Sequence, residues 1–150
     1  MGKSILTQAT ISTIPNHVML CNSLPPKITQ NIDKLCRNFL WGSTEEKKKL
    51  HLISWMKITK PKNKGGLGLQ ASKEKNVTLL AKLNWRLYKE KCSLWAQVLH
   101  HKYAHRKNIF PKFKSCSNTW IGIKKGEAVF KNGIKWIDWK DSQLSFWFDK

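Results

Sequence analysis

RNFLWGSTEEKKKLHLISWMKITKPKNKGGLGL, residues 37–69, is the stretch whose reading decides the fold. It opens on Phe39, Leu40 and Trp41, the apolar end of a helical run. It passes through a charged turn into Leu50, Leu52, Ile53 and Trp55, and closes on Gly65, Gly66 and Gly68. Gly42 suits the residue after a helix C-terminus, where a left-handed backbone costs glycine little. Residues 50–58 alternate loosely and read as either a short strand or a helical turn. Residues 61–68 hold one proline, Lys62-Asn63-Lys64 and three glycines, which excludes regular structure. The stretch contains no nucleophile, phosphate cradle or metal-ligand pattern. It reads as a connector between two helical blocks that presents lysines to an acidic partner.

Outward from it, apolar periodicity predicts helices. Ile28, Ile32, Leu35 and Phe39 repeat at four, three and four, giving a stripe over residues 27–41 with Lys27, Lys34 and Arg37 off it. Pro26 suits the first turn of that helix. Residues 72–89 form a second strong helix, with Val77, Leu80, Ala81, Trp85 and Tyr88 on its expected core face. Leu79, Leu83 and Leu87 widen that face. Ser93 is placed to cap a third helix carrying Leu94, Trp95, Val98, Leu99 and Tyr103. Ile5, Leu6, Ala9 and Ile14 lie near helical spacing ahead of Pro15, and a further apolar run ends at Pro25-Pro26. Residues 104–118 read as a basic loop and 120–130 as helix. The end alternates around Lys140-Asp141-Ser142 like a β-hairpin. The expected architecture is mainly α, a helical bundle with a small C-terminal β-hairpin. Its parts are 1–69 (helices and basic connector), 70–131 (a helical block) and 132–150 (the hairpin).

Charge narrows the function class. The 28 Lys+Arg against 9 Asp+Glu give a formal net charge of +19 over 150 residues. An excess of that size opposes compaction by self-repulsion and points to a polyanionic partner. Only Lys3 precedes Lys27 among the lysines and arginines, and 25 of the 28 are lysine. Lysine is a point-charge contact to phosphate, whereas bidentate reading of base edges favours arginine. Nucleic acid and anionic membrane are the two candidates, and the lysine excess favours sequence-tolerant binding of a phosphate backbone. The expected contacts are Lys47, Lys48, Lys49, Lys60, Lys62 and Lys64. No apolar run reaches membrane-spanning length, so no spanning helix is expected. MGKSILTQAT lacks a secretory pattern, and Leu6 stands where myristoylation needs Ser or Thr. Cys21, Cys36, Cys92 and Cys116 have no CxxC pairing. Reduced thiols and an intracellular, nuclear or cytoplasmic, location are the expectation.

Other constellations yield to plainer readings. Cys92, His100, His101, His105 and Cys116 match no structural zinc spacing, so histidines on a basic helix end explain them better. GGLG at 65–68 lacks the Gly-Lys-Ser/Thr ending of a phosphate loop, and a tight turn that brings backbones together is expected. The nine carboxylates are scattered, and only Glu45 and Glu46 are adjacent, which argues against a two-metal site. Asn76-Val77-Thr78 matches a glycosylation sequon inside a predicted helix and is discounted. Trp41, Trp55, Trp85, Trp95 and Trp120 interleave with lysines and could stack on unpaired bases. For Trp85 and Trp95, on apolar helix faces, burial in the core is the expectation.

The chain resembles the C-terminal part of reverse-transcriptase-like proteins of plant non-LTR (LINE-type) retrotransposons. The residues that carry the resemblance run from Ile14-Pro15 to Met19, through Leu24-Pro25, CRNFLWG at 36–42, HLISW at 51–55 and Pro61-Lys62. They continue with GGLG at 65–68, LLAK at 79–82, WRL at 85–87, LWA at 94–96, Lys102-Tyr103 and FW at 146–147. The resemblance implies the thumb and connector region, downstream of the polymerase palm and upstream of the zinc-binding and RNase H segments. That family polymerises at a Tyr-x-Asp-Asp motif, which this sequence lacks, so no catalytic residue carries over. The magnesium of the parent RNA-directed DNA polymerase has no ligand set here either, so no catalytic residue, metal or cofactor is expected. The missing palm and RNase H domains are expected protein partners. Where the family has a glycine-containing turn after Trp-Arg-Val, this chain has WIDWK at 136–140. A start inside this region implies a truncated or degenerate element. The expectation is a non-catalytic fragment that grips the phosphates of an RNA–DNA or DNA primer–template duplex without sequence preference, with no membrane partner; an inert structural or interaction remnant is the alternative.

Overall fold

The computed structural model describes residues 2–44, 46–103 and 116–134, and these are mainly helical. In chain order they are α1 (Gly2–Leu6), a π-helical turn (Thr7–Ile11), α2 (Asn16–Met19), α3 (Pro26–Trp41) and α4 (Trp55–Ile58). A 3-10 turn (Lys62–Lys64), α5 (Ser72–Lys89), α6 (Leu94–Tyr103) and α7 (Asn118–Gly133) follow. Among the described residues there is no strand. The ambiguous segment at 50–58 resolves as one helical turn over its second half. The expected hairpin lies almost wholly at 135–150, outside the described residues. Its expected first residues, Asn132 and Gly133, are instead the end of α7.

α3 starts and stops where the sequence says. Pro26 occupies its first turn, where the missing N–H is no loss. Gly42 ends it at φ 68°, and Ser43 N donates to Asn38 O at 2.8 Å. That reversal returns an otherwise orphaned carbonyl to a partner.

The face α3 buries is not the expected one. Ile28 and Leu35 are exposed, Leu35 by 62%, while Thr29 and Cys36 are buried. Asp33 lies on that same face and accepts from Ser72 N at 2.9 Å and Ser72 Oγ at 2.7 Å, capping the start of α5 from a different helix. A carboxylate aimed at a helix N-terminus meets both an unpaired donor and the positive end of the helix dipole. This polar tie turns α3 so that Ile28 and Leu35 of its apolar stripe face outward, while Ile32 and Phe39 are half-buried.

α5 is the central helix. Its buried residues are Ser72, Asn76, Leu80, Leu83, Asn84 and Leu87. Of the expected face, Val77, Leu80, Ala81, Trp85 and Tyr88 widened by Leu79, Leu83 and Leu87, the structure buries Leu80, Leu83 and Leu87. The buried face is displaced, and Trp85 is 47% exposed rather than core. Two asparagines at the middle of the true face defeat a search for apolar periodicity. Asn76 Nδ2 donates to Met19 O (3.0 Å) and Asn22 O (2.9 Å), and its Oδ1 accepts from Leu24 N (3.0 Å). Asn84 Nδ2 donates to Leu80 O (3.2 Å) and Ile123 O (2.7 Å). Burial of Asn76 also removes the apparent sequon from any glycosylating enzyme acting on the folded chain.

Leu83, Leu87, Ala96 and Ile123 form a core shared by α5, α6 and α7, with Trp95, Leu99 and Trp120 against it. Trp95 thus joins the core as its position on α6 suggested. Ser93 lies where a cap is expected, and its backbone carbonyl accepts from Gln97 N. Its hydroxyl donates to Glu90 O instead of capping α6. Ser117 does cap α7, accepting from Trp120 N at 3.3 Å. Tyr103 stacks on Trp120, with centroids 4.4 Å apart and planes at 9°. α7 approaches α5 so closely that a Cβ on Gly126 would lie 2.6 Å from Ala81 N and Leu80 C.

Burial, and secondarily the Asp33 carboxylate, push the Cys36 thiol above its ordinary pKa. A thiol with a raised pKa keeps its proton where exposed thiols ionise, and the thiolate is the nucleophile. Alkylation of the native chain at mildly alkaline pH, mapped by mass spectrometry, should modify the exposed Cys21 and Cys92 while sparing Cys36. Cys36 should react only when denaturant is added. Equal rates at all three would mean that α3 does not bury this face. The sign for stability follows. This contribution is present below the ordinary thiol pKa and is lost as pH rises through the raised one.

Candidate nucleic-acid interface

The connector after α3 is tied back on itself by backbone groups. Thr44 N donates to Lys47 O (3.0 Å), Lys47 N to Thr44 Oγ1 (3.1 Å) and Lys49 N to Ser43 Oγ (3.1 Å). With the backbone spent on the turn, the lysine side chains are left to solvent. Lys49 Nζ and Lys3 Nζ also approach Gly42, lying 3.7 and 2.9 Å from where a Cβ on that glycine would be. Two cations at the negative end of the α3 dipole are favourably placed.

Lys48 and Lys49 face α3 across a groove of about 1130 Å³. Its α3 wall supplies Lys34 and Arg37, with Leu35 and Phe39 on the same helix, and Ile11 closes it from the N-terminal segment. His51 completes the lining and stacks on Trp41, with centroids 6.2 Å apart and planes at 22°. Among the described residues that line the groove there is no carboxylate. Arg37 Nε is buried without an acceptor among those residues.

Lys60, Lys62 and Lys64 sit on a second closed loop. Leu67 N donates to Ile58 O (2.9 Å), Gly66 N to Pro61 O (3.2 Å) and Gly68 N to Lys60 O (3.1 Å). Gly65 and Gly68 take φ of 77° and 72°, and a Cβ on Gly66 would collide with Lys60 O. The glycine cluster is therefore a tight backbone crossing, as its composition suggested. Lys60, Lys62 and Lys64 are exposed on it and do not line the groove.

Of the six lysines expected as contacts, the fold gathers only Lys48 and Lys49, and it adds Lys34 and Arg37. Lys47 is exposed beside them but does not line the groove. The sequence had Lys34 and Arg37 off the α3 stripe. What it did not reveal is that Leu35 of that stripe faces out, which puts those cations beside an exposed apolar side chain and the half-buried Phe39. A signal was available in the polar sequence Thr29, Asp33, Cys36 at helical spacing.

A second depression of about 600 Å³ lies between the end of α3 and the glycine loop, lined by Leu40, Trp41, Leu52, Ile53, Ile58 and Leu67 among others. Leu50, Leu52, Ile53 and Met56 are exposed around this segment, Leu50 by 80%. Trp41 Nε1 and Trp55 Nε1 are buried without partners among the described residues.

Among the described residues no three His, Cys, Asp or Glu side chains come together as a metal site, and His105 lies outside them. Nor is any described helix long and apolar enough to cross a membrane.

Against known proteins, this chain is 43% identical over 155 aligned residues to an Arabidopsis thaliana protein named "Putative ribonuclease H protein". The chain is related to plant proteins over nearly its whole length. That alignment covers 99% of this chain but 25% of the relative, so the chain spans about a quarter of that protein. A second relative, an uncharacterized mitochondrial protein of the same plant, is 24% identical over 140 residues, 91% of each chain. No family model and no solved structure matches.

Proposed function

We propose that this chain is a plant retrotransposon-derived piece of a reverse-transcriptase protein, one that binds primer–template nucleic acid through phosphates and performs no chemistry itself. The observation that carries this reading is the groove in which Lys34, Arg37, Lys48 and Lys49 converge with no described carboxylate among them. The net charge of +19 supplies the long-range attraction. Similarity to a protein named for ribonuclease H supports a nucleic-acid context for the parent. Lys47, Lys60, Lys62 and Lys64 serve as secondary contacts that thicken the positive field.

The test is affinity for an RNA–DNA duplex as a function of salt. Each neutralised phosphate contributes about 0.9 to the slope of log K against log salt on a duplex. Replacing Lys48 and Lys49 together by glutamine should lower that slope by about 1.8 and weaken binding uniformly across sequences. A flat slope in the parent chain overturns the reading. Primer extension and RNA cleavage with magnesium should both be absent, and either activity would contradict the non-catalytic part.

A second reading is favoured by the exposed apolar rim at Leu50, Leu52, Ile53 and Met56. Exposed apolar groups in such a cluster mark a protein contact surface, and the chain would then be an interaction remnant of a larger assembly. Replacing Leu50, Leu52 and Met56 by serine should abolish concentration-dependent association in sedimentation while leaving duplex binding unchanged.

A further inference from the structure

The groove beside α3 is not a uniform basic surface. Its charged members, Lys34, Arg37, Lys48 and Lys49, accompany an apolar set, Ile11, Leu35 and Phe39, and the His51 ring, which stacks on Trp41 of the neighbouring depression. Leu35 is 62% exposed there, the reverse of what its place in a helix stripe would suggest. A double helix presents phosphate and sugar outward and seals its bases inside. It could engage the four cations, but it would leave Leu35, Phe39 and the exposed His51 ring with nothing to cover them. An unpaired strand satisfies both sets, because its phosphates pair with cations while its bases stack on rings and apolar side chains.

We infer that this groove binds single-stranded nucleic acid, with bases against Leu35, Phe39 and His51 and phosphates on Lys34, Arg37, Lys48 and Lys49. This rests on the nucleic-acid reading above and narrows it. The same four cations can meet duplex phosphates, but only an unpaired strand also covers Leu35, Phe39 and the His51 ring. His51 extends the Trp41 stack by one ring, so a base lying on His51 continues it. The turn that presents Lys48 and Lys49 is held by backbone and hydroxyl groups of Ser43 and Thr44. Ser43 Oγ also meets His51 Nε2 at 3.5 Å, while the two Thr44–Lys47 bonds close the turn without the ring.

The experiment is fluorescence anisotropy with the full chain, using a labelled mixed-sequence single strand of about a dozen nucleotides, within the site sizes usual for single-strand binders, and a blunt hairpin duplex with the same label. His51→Ala and Phe39→Leu are the variants, each first checked for the helical circular dichroism of the parent. His51 is exposed, so its removal spares the core. Loss of one stacked base weakens single-strand binding by roughly tenfold, and duplex affinity should change less than twofold. Phe39→Leu keeps the apolar volume while removing the ring, and should show the same selective loss. If duplex binding persists but the single strand binds no better than the duplex, or neither variant discriminates between the two, the groove assignment is overturned and the phosphate-binding reading stands. If neither ligand binds the parent chain, both fall.

Discussion

Gly126→Leu should abolish the cooperative thermal transition of this protein, or lower its midpoint by about 10 °C or more. The contact responsible is backbone on backbone. A Cβ at position 126 would lie 2.6 Å from Ala81 N and Leu80 C and 2.7 Å from Leu80 O. A main-chain neighbour cannot rotate away as a side chain can, so α7 must move off α5. Overpacking of this kind costs about 3 kcal/mol when backbone has to shift. For a chain of this size each kcal/mol is worth roughly 3 °C. Gly122 lies one turn earlier on the same approach, but its nearest obstacle is Leu80 Cδ2, a side-chain atom that can yield. Gly122→Ala should therefore cost clearly less. Gly133 meets nothing within 4 Å and is the control. Gly133→Ala should be neutral or slightly stabilising, because alanine is the better helix former by about 1 kcal/mol. A parent-like melting curve for Gly126→Leu would show that α5 and α7 do not meet there.

The second large effect is expected at Asn76. Its side chain satisfies three backbone groups at once, Met19 O, Asn22 O and Leu24 N, at 2.9 to 3.0 Å. The residue is 4% exposed, so water cannot take over those bonds without opening the structure. Asn76→Ala leaves two carbonyls and an amide unpaired in the interior. Each orphaned group costs about 1–3 kcal/mol, so a total near 3–4 kcal/mol is expected after relaxation. Asn76→Asp should be no better, since the two carbonyls would then face a carboxylate that offers them no proton. Chemical denaturation of both variants checks this. Hydrogen exchange adds a local readout, because the amide of Leu24 should lose protection ahead of α7. Retention of parent stability by Asn76→Ala would mean that this clasp does not hold α5 to the N-terminal segment.

These two sites show what the order of residues could reveal and what it could not. The extent of α3 was legible because proline and glycine have backbone requirements that no neighbour can override. Gly65, Gly66 and Gly68 were legible as a tight turn for the same reason, and two of them do adopt positive φ. Which way α3 faces was not legible, and on α5 only Leu80, Leu83 and Leu87 of the expected face are buried. The stripe Ile28, Ile32, Leu35, Phe39 looked like a core, yet Asp33 reaching the start of α5 turns Ile28 and Leu35 outward. Trp85 looked buried, yet Asn76 and Asn84 occupy the middle of the true interior face. Periodicity counts apolar side chains and cannot credit a polar one whose partners lie about 39 to 57 residues away in sequence. Gly126 carries the same lesson, since glycine in a helix reads as a weakness until another backbone is found against it.

The candidate interface divides likewise. Charge composition by itself sets the expectation of an acidic partner, because charge sums regardless of fold. It also placed lysines on the connector between the helical blocks. Only the tertiary structure decided that Lys48 and Lys49 meet Lys34 and Arg37 across one groove while Lys60, Lys62 and Lys64 stay on the glycine loop. Convergence is a property of how far α3 is turned about its axis. That rotation is set by Asp33 meeting an unpaired helix N-terminus on α5, an interaction between residues 39 positions apart.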